Sequence, residues 1–415
     1  MKKIFITLLI IRSALDIFTD FGVTLGPITI NLSSVIGILI LGLGGFYFIS
    51  RDRLDFPPIA RWFGIWLLFL LFFSVPMSLF NFGSKGGVVA LREWIRLGSI
   101  LIILIMSYHL VPKGKEAYQF IDMMFWSVLI PVLTGLYQLV THTGWKDPIG
   151  IVRVYGTFVH PNHFAFYLIL FMGLTFWKYQ FSRKKLLWLF LLLIQITCFT
   201  ATFSLTGYIM GLILFIGTFL AVDWQKKILV ATVVILNISI LITTTPFQKR
   251  MEKIKQIDPK TILEKKVEVD SFTWRIFNWQ GLLFLWKEKP WLGYGLNSTI
   301  FINPKKEKEK GLGYLPHNDF LRYLVETGLV GLIFYLNFIL ITASTLFQYY
   351  RQLKDDKLKH LFYTLFINWV AWQVGSLAGN MISGTAFLFY FWAITGFALK
   401  ARKNMTIDGL NNVPF

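Results

Sequence analysis

Leu315 to Leu336 reads LPHNDFLRYLVETGLVGLIFYL, and the character of the chain changes within it. Up to Asn318 it is a water-compatible loop; from Phe320 it is predominantly apolar and stays so to Phe347. About 20 apolar residues are what a hydrocarbon core of about 30 Å requires. The stretch therefore reads as an external loop entering a membrane-spanning helix. Arg322 and Glu326 lie four apart on one helical face, so they can pair and lower the cost of charge at that depth.

The rest of the 415-residue chain agrees. The AVILMFWYC set makes up 55%, charged residues only 15%, and mean hydropathy is +0.60. Soluble domains carry about 25% charge, which excludes them as the bulk of this chain. The formal charge is nevertheless +19, so the cations must gather in a few loops. One cysteine, Cys198, inside an apolar run excludes a disulfide framework and a Cys metal cluster. Lysines outnumber arginines 28 to 13, which hints at a low-G+C source.

Reading each span as about 17 to 25 apolar residues predicts an all-α integral membrane protein of about 12 transmembrane helices. Their approximate positions are 4 to 22, 27 to 49, 62 to 82, 95 to 111, 118 to 140, 164 to 178, 186 to 203, 206 to 222, 228 to 245, 319 to 347, 361 to 378 and 384 to 399. A cleaved signal peptide is the rival for the first, and Asp16 and Asp20 without a small-residue cleavage site argue against it. One set of alternate connections holds 20 Lys and Arg, whereas the short connections of the other offer only Lys85, Arg92, Lys146 and Arg153. The positive-inside rule puts the first set, with both termini, in the cytoplasm and the protein in the cytoplasmic membrane. The organisation is then helices 1 to 9 over 1–245, an external loop over 246–317, helices 10 to 12 over 318–399 and a cytoplasmic tail over 400–415.

The external loop holds 14 Lys and Arg against 8 Asp and Glu. Lys249 to Asp270 reads as a charged helix, with Met251, Ile254 and Ile257 three apart. Phe272 to Trp286 reads as an amphipathic helix that suits the interface plane, ended by Pro290, Gly293 and Gly295 in WKEKPWLGYGLN. The run from Lys305 to Lys310 reads as a solvated turn.

His317 follows Pro316 at the outer end of a span, where a neutral imidazole can accept a proton; it also reads as a helix-capping or headgroup-binding residue. Arg275 brings a planar guanidinium suited to diphosphate oxygens, or a plain surface charge. Arg153, in VRVYGTFVHPNHFAFYL, adds a second cation near the outer face, and Asn162 suits either a sugar hydroxyl or a turn with Pro161. Asn318 joins them as a substrate-binding candidate, while Arg322, Glu326, Gly293, Gly295 and Gly328 are structural candidates. His160 and His163 lack an accompanying carboxylate or thiol, so no metal and no cofactor are expected.

RIFNWQGLLFLWKEKPWLGYGLN followed by PHNDFLRYLVETGLVGL resembles the core of the O-antigen ligase and O-antigen polymerase superfamily of bacterial polysaccharide assembly. VYGTFVHPNHFAFYL looks like a second block of it, and the single large loop before the HN motif agrees. The resemblance implies a metal-independent glycosyl transfer on the outer membrane face. The donor it implies is a glycan on undecaprenyl pyrophosphate, with the polyprenyl diphosphate as leaving group. His317 matches the motif histidine proposed there as base toward the acceptor hydroxyl, and Arg275 the loop arginine held to bind the pyrophosphate. The chain departs from the ligases at TFSLTGYIMG, where Leu205 stands in place of the Arg of a Ser-Arg pair.

Expulsion of a diphosphate develops negative charge that fixed cations stabilise, and the leaving group needs no proton. Polymerisation of lipid-linked repeat units leads because the ligase Arg is missing at Leu205 and a low-G+C Gram-positive source has no lipopolysaccharide core to accept, with ligation to a wall or lipid acceptor as the alternative. The expected partners are the lipid-linked glycan, its acceptor, the lipid bilayer and a chain-length regulator. A transporter or flippase is a third reading, disfavoured because the halves show no repeat. Nucleic acid is excluded as a partner, since the basic residues spread over many loops.

Overall fold

The computed structural model describes residues 1–415 except 21, 26–27, 52–53, 111–115, 147–149, 246, 250–251, 253–270, 305–314 and 408–415. The chain is an all-α membrane protein. Its described elements begin with α1 (Lys2–Arg12), a 3-10 turn (Asp16–Asp20), a hairpin of β1 (Gly22–Leu25) and β2 (Ile28–Asn31), and α2 (Leu32–Ile49). Then come α3 (Pro58–Phe69), a π-helical turn (Leu70–Ser74), α4 (Val75–Leu110), α5 (Glu116–Met124) and α6 (Trp126–Thr141). The two-residue strands β3 (Trp145–Lys146) and β4 (Val152–Arg153) pair ahead of α7 (Pro161–Phe181), α8 (Lys185–Thr200), α9 (Leu205–Ala221) and α10 (Trp224–Thr243). The C-terminal part holds α11 (Ser271–Glu288), α12 (Thr299–Ile302), α13 (Asp319–Gln352), α14 (Asp356–Ser376), a 3-10 turn (Met381–Ser383) and α15 (Thr385–Ile407).

Among the described residues, five helical runs are long and apolar enough to cross a membrane: Pro58–Leu110, Tyr118–Thr141, Pro161–Phe181, Trp224–Thr243 and Asp319–Gln352. Two differ from simple spans. In the first, Trp94 Nε1 donates to Leu67 O at 2.8 Å across 27 residues of sequence, which a straight helix would stretch over about 40 Å. The chain has turned back, at Gly83 with φ 64°. Ser78 Oγ pins the turn by donating to Gly86 O at 3.0 Å. This gives two antiparallel passes, in keeping with the separate spans expected at 62 to 82 and 95 to 111.

The second run corrects the sequence reading, which took 319 to 347 as one span. Gly328 breaks α13 with φ 66°. The rings of Phe320 and Tyr335 lie 5.9 Å apart, where a straight helix would part them by about 22 Å. Residues 319–327 therefore form a short helix folded back on 329–352. The first candidate span, 4 to 22, is likewise not one helix: α1 covers about 17 Å, and a 3-10 turn and the β1–β2 hairpin follow.

A break in lipid strands backbone groups that cost several kcal/mol each if unpaired. The loop after α11 pairs them. Tyr294 N donates to Val325 O at 3.1 Å and Gly295 N to Glu326 O at 2.7 Å, taking carbonyls that the helix no longer uses. Leu329 N donates to Pro290 O at 2.8 Å and Val330 N to Trp291 O at 3.2 Å. Leu296 N reaches Ser74 O at 3.1 Å, at the end of the π-helical turn. Such close docking leaves no room for side chains: a Cβ on Gly295 would sit 2.2 Å from Ser78 N, and one on Gly328 2.1 Å from Trp291 O.

The centre of the bundle is α7, buried continuously from Phe164 to Lys178. Gly173 lets α14 approach, since a Cβ there would meet Asn368 Nδ2 at 2.8 Å. Stacked rings of Trp66 and Phe338, 5.7 Å apart, join α3 to α13, and Trp392 of α15 lies 5.7 Å from Phe338. Each such pair is worth about 0.5 to 1.5 kcal/mol beyond its buried area. The helix expected over Phe272 to Trp286 is α11. The one expected over Lys249 to Asp270 and the turn at Lys305 to Lys310 lie largely or wholly outside the described residues.

Candidate active site

The mouth of the candidate site is where the loop ahead of α13 meets residues 319–327. Asn318 is the N-cap, its Oδ1 accepting from Leu321 N at 3.0 Å, as expected where a chain enters a helix. Immediately before it, His317 takes the left-handed conformation, φ 54°, which a non-glycine residue holds only when its surroundings fix it. Here Asn380, in the turn between α14 and α15, does so. His317 N–H donates to Asn380 Oδ1 at 2.7 Å, and Asn380 Nδ2 lies 3.3 Å from the ring Nδ1.

α11 forms the opposite wall. Trp279 Nε1 donates to Pro316 O at 2.7 Å, and the Trp274 ring meets His317 edge-on with centroids 5.7 Å apart. Leu282 of α11 packs with Leu321, Val325 and Tyr294, which seats the helix against the short segment. Arg275 presents its charge to His317 from the same wall. Burial first, and that charge second, push the imidazole from its ordinary 6.5 down to about 4. The ring is therefore neutral at physiological pH. Tyr294 is shifted the other way, up to about 12, by burial and by its bond to Glu288 at 2.6 Å.

Beneath the mouth lies a buried charge network. Arg322 donates to Glu326 Oε1 at 3.1 Å, Glu93 Oε1 at 2.8 Å, Asn297 Oδ1 at 2.9 Å and Ser383 Oγ at 3.3 Å. Arg96 meets Glu93 through two bonds of 2.6 and 2.8 Å and reaches Ile382 O at 2.6 Å. Glu326 also accepts from Thr299 Oγ1 at 2.5 Å and Asn297 N at 2.8 Å, and Asp319 Oδ2 from Ile382 N at 2.9 Å. This fixes residues 380–383, the loop carrying Asn380, to the short helix carrying His317. The expected Arg322–Glu326 pair is present. Glu93, Arg96, Asn297 and Asn380 escaped sequence reasoning, although Glu93 and Arg96 are charges in an apolar stretch and such charges call for partners.

The structure thus brings His317 and Arg275 together, and it gathers Arg153 with Asn162 in a second group. Arg153 is buried, donating to Thr202 O at 2.7 Å and Asn162 Oδ1 at 2.9 Å, with Trp145 stacked 5.4 Å from its guanidinium carbon. His160 caps α7, its Nδ1 accepting from Asn162 N at 3.1 Å. Leu205 opens α9 behind the N-cap Ser204, whose side chain accepts from Gly207 N at 3.1 Å.

Residues 190–336 match the model of a family described as O-antigen ligase. The matched stretch takes in α8 to the early turns of residues 329–352, and with them Arg275, His317, Arg322 and Glu326. A protein of Rickettsia conorii provisionally named a polysaccharide ligase is 28% identical over 166 residues, covering 37% of this chain and 38% of its own length. A Rickettsia felis protein of the same provisional name is 26% identical over 166 residues, with 37% and 39% covered. The chain thus spans about two fifths of the length of these curated relatives. The resemblance first read from the HN motif and the loop before it is borne out: residues 190–336, which hold that motif and loop, are similar to the O-antigen ligase family.

Proposed function

We propose that the chain polymerises oligosaccharide repeat units carried on undecaprenyl pyrophosphate, on the outer face of the cytoplasmic membrane, as a metal-independent glycosyltransferase. The observation that carries this reading is the facing of Arg275 and a neutral His317 across the mouth where the external loop enters the bundle. An always-charged planar fork beside a neutral imidazole suits a diphosphate that gains charge as it leaves. In this reading Arg275 binds the diphosphate and His317 meets the reacting oxygens. Arg153, Asn162 and Asn318 shape the surroundings in which donor and acceptor are held. Both termini face the cytoplasm, in keeping with the charge bias of the connections.

Ligation of a finished glycan to a wall or lipid acceptor is the second reading, favoured by the provisional names of the Rickettsia relatives. Purified protein in vesicles, given a synthetic lipid-linked repeat unit, separates the two. A ladder of products from donor alone is expected for polymerisation. A single transfer that requires an added acceptor would instead establish ligation, and no transfer under either condition would overturn both.

A further inference from the structure

The placement of Asn380 decides which nitrogen of His317 carries the proton. A backbone N–H can only donate, so the Asn380 atom 2.7 Å from His317 N must be the carbonyl oxygen Oδ1. The amide's other end is then the NH₂ group, and it lies 3.3 Å from Nδ1. An NH₂ group can only donate, so Nδ1 is the ring's acceptor. A neutral imidazole with Nδ1 as acceptor carries its hydrogen on Nε2. The reverse amide orientation would set the NH₂ group against the backbone N–H of His317, two donors facing each other. Among the described residues nothing bonds Nε2, so its N–H is left for a ligand in the mouth.

We propose that Asn380 is a positioning residue that holds His317 as its Nε2–H tautomer, so that His317 serves as a hydrogen-bond donor to the departing diphosphate and not as the base toward the acceptor. This rests on the glycosyl-transfer reading above and deepens it. In the step, the bond between the anomeric carbon and the diphosphate oxygen breaks, its electron pair going to that oxygen. The acceptor oxygen bonds the anomeric carbon, and its proton passes to the released diphosphate. His317 keeps its own proton throughout and, with Arg275, stabilises the charge as it develops. Trp274 against the ring and the left-handed backbone at His317 restrict it from turning away.

Asn380→Asp tests this with minimal change of shape. The carboxylate still accepts from His317 N–H, but its second oxygen now demands a hydrogen on Nδ1, which leaves Nε2 an acceptor. Nitrogen and carbon NMR of histidine-labelled protein, with the His317 signal assigned by its loss in His317→Gln, should show Nε2–H in the parent and a proton on Nδ1 in the Asp variant. Transfer should fall about 100-fold in Asn380→Asp, the usual loss when one donor to a developing charge is removed. His317→Gln, whose amide can still donate, should retain clearly more activity than His317→Ala. A parent spectrum with the proton on Nδ1, an Asp variant as fast as the parent, or a Gln variant no better than Ala would each overturn the proposal. A parent that shows Nε2–H yet transfers no glycan upholds the ring setting and overturns the functional reading instead.

Discussion

Tyr323 and Tyr335 face each other with ring centroids 4.5 Å apart, although a straight helix would hold residues so spaced about 18 Å apart. Both rings also pack on Trp66, each 5.2 Å from it, so the fold-back at Gly328 is clamped from the side by α3. The short helix bearing the HN motif owes its direction to this reversal. Gly328→Ala should therefore disturb more than one backbone angle. Its φ of 66° costs about 1 to 3 kcal/mol for a side-chain-bearing residue, and the new Cβ would meet Trp291 O at 2.1 Å. Gly83→Ala has a similar φ of 64° and nothing within 4 Å. Thermal unfolding in detergent should show the larger loss for Gly328→Ala, and equal losses would mean that docking of the loop is unimportant.

Glu93→Gln should cost about 3 to 5 kcal/mol, because it leaves the buried guanidinium of Arg322 and the half-buried one of Arg96 without the carboxylate they share. The same substitution keeps side-chain volume, so cavity formation does not contribute. Size-exclusion profiles and melting midpoints measure it, and an unchanged midpoint would show that the pair contributes little.

Arg275→Lys keeps the charge and loses the fork. In the vesicle assay with lipid-linked donor, transfer should drop at least about tenfold, with most of the effect at low donor concentration. Parental activity would reduce Arg275 to a surface cation.

The low value of His317 has a definite sign in stability. The unfolded ring takes a proton near its ordinary 6.5, whereas the folded ring resists it until about 4. Below pH 6.5 the unfolded state therefore binds a proton that the folded state refuses, so stability falls as pH drops through this window and the loss levels off below 4. His317→Gln should flatten this dependence between pH 6.5 and 4, measured by melting midpoints across buffers. An identical slope in parent and variant would contradict the shifted value.

Orientation is open to labelling. In a Cys198→Ser background, which removes the one native thiol, a cysteine placed at 306 should react with an impermeant reagent in intact cells. Reaction only after permeabilisation would invert the topology.

The sequence carries α11 plainly, because its aromatic face ends at Pro290 and the glycines that follow. It also carries the Arg322–Glu326 pair and the place of His317, since Pro316 and the onset of the apolar run mark a helix entry. The reversal at Gly328 was hidden because apolar residues continue on both sides of it, and hydropathy does not register direction. Arg96 falls inside the fourth candidate span and Glu93 just ahead of it, but Arg322, the second partner of Glu93, lies 229 residues beyond it. Asn380 gave no local signal at all: its role depends on a turn brought 63 residues back onto His317.

The splice of residues 290–296 into the broken helix also imposes an order of assembly. Carbonyls 325 and 326 and the amides of 329 and 330 find their partners on segments that precede them in the chain, and Ser74 and Glu93 come earlier still. A ribosome feeding this protein into the membrane from its N-terminus delivers the hairpin of 58–110 first, the loop next and the glycine break last. Those two carbonyls and two amides thus emerge with their partners already synthesised. A circular permutant that began at residue 319 would reverse that schedule, holding an open helix end in lipid until the rest of the chain arrived.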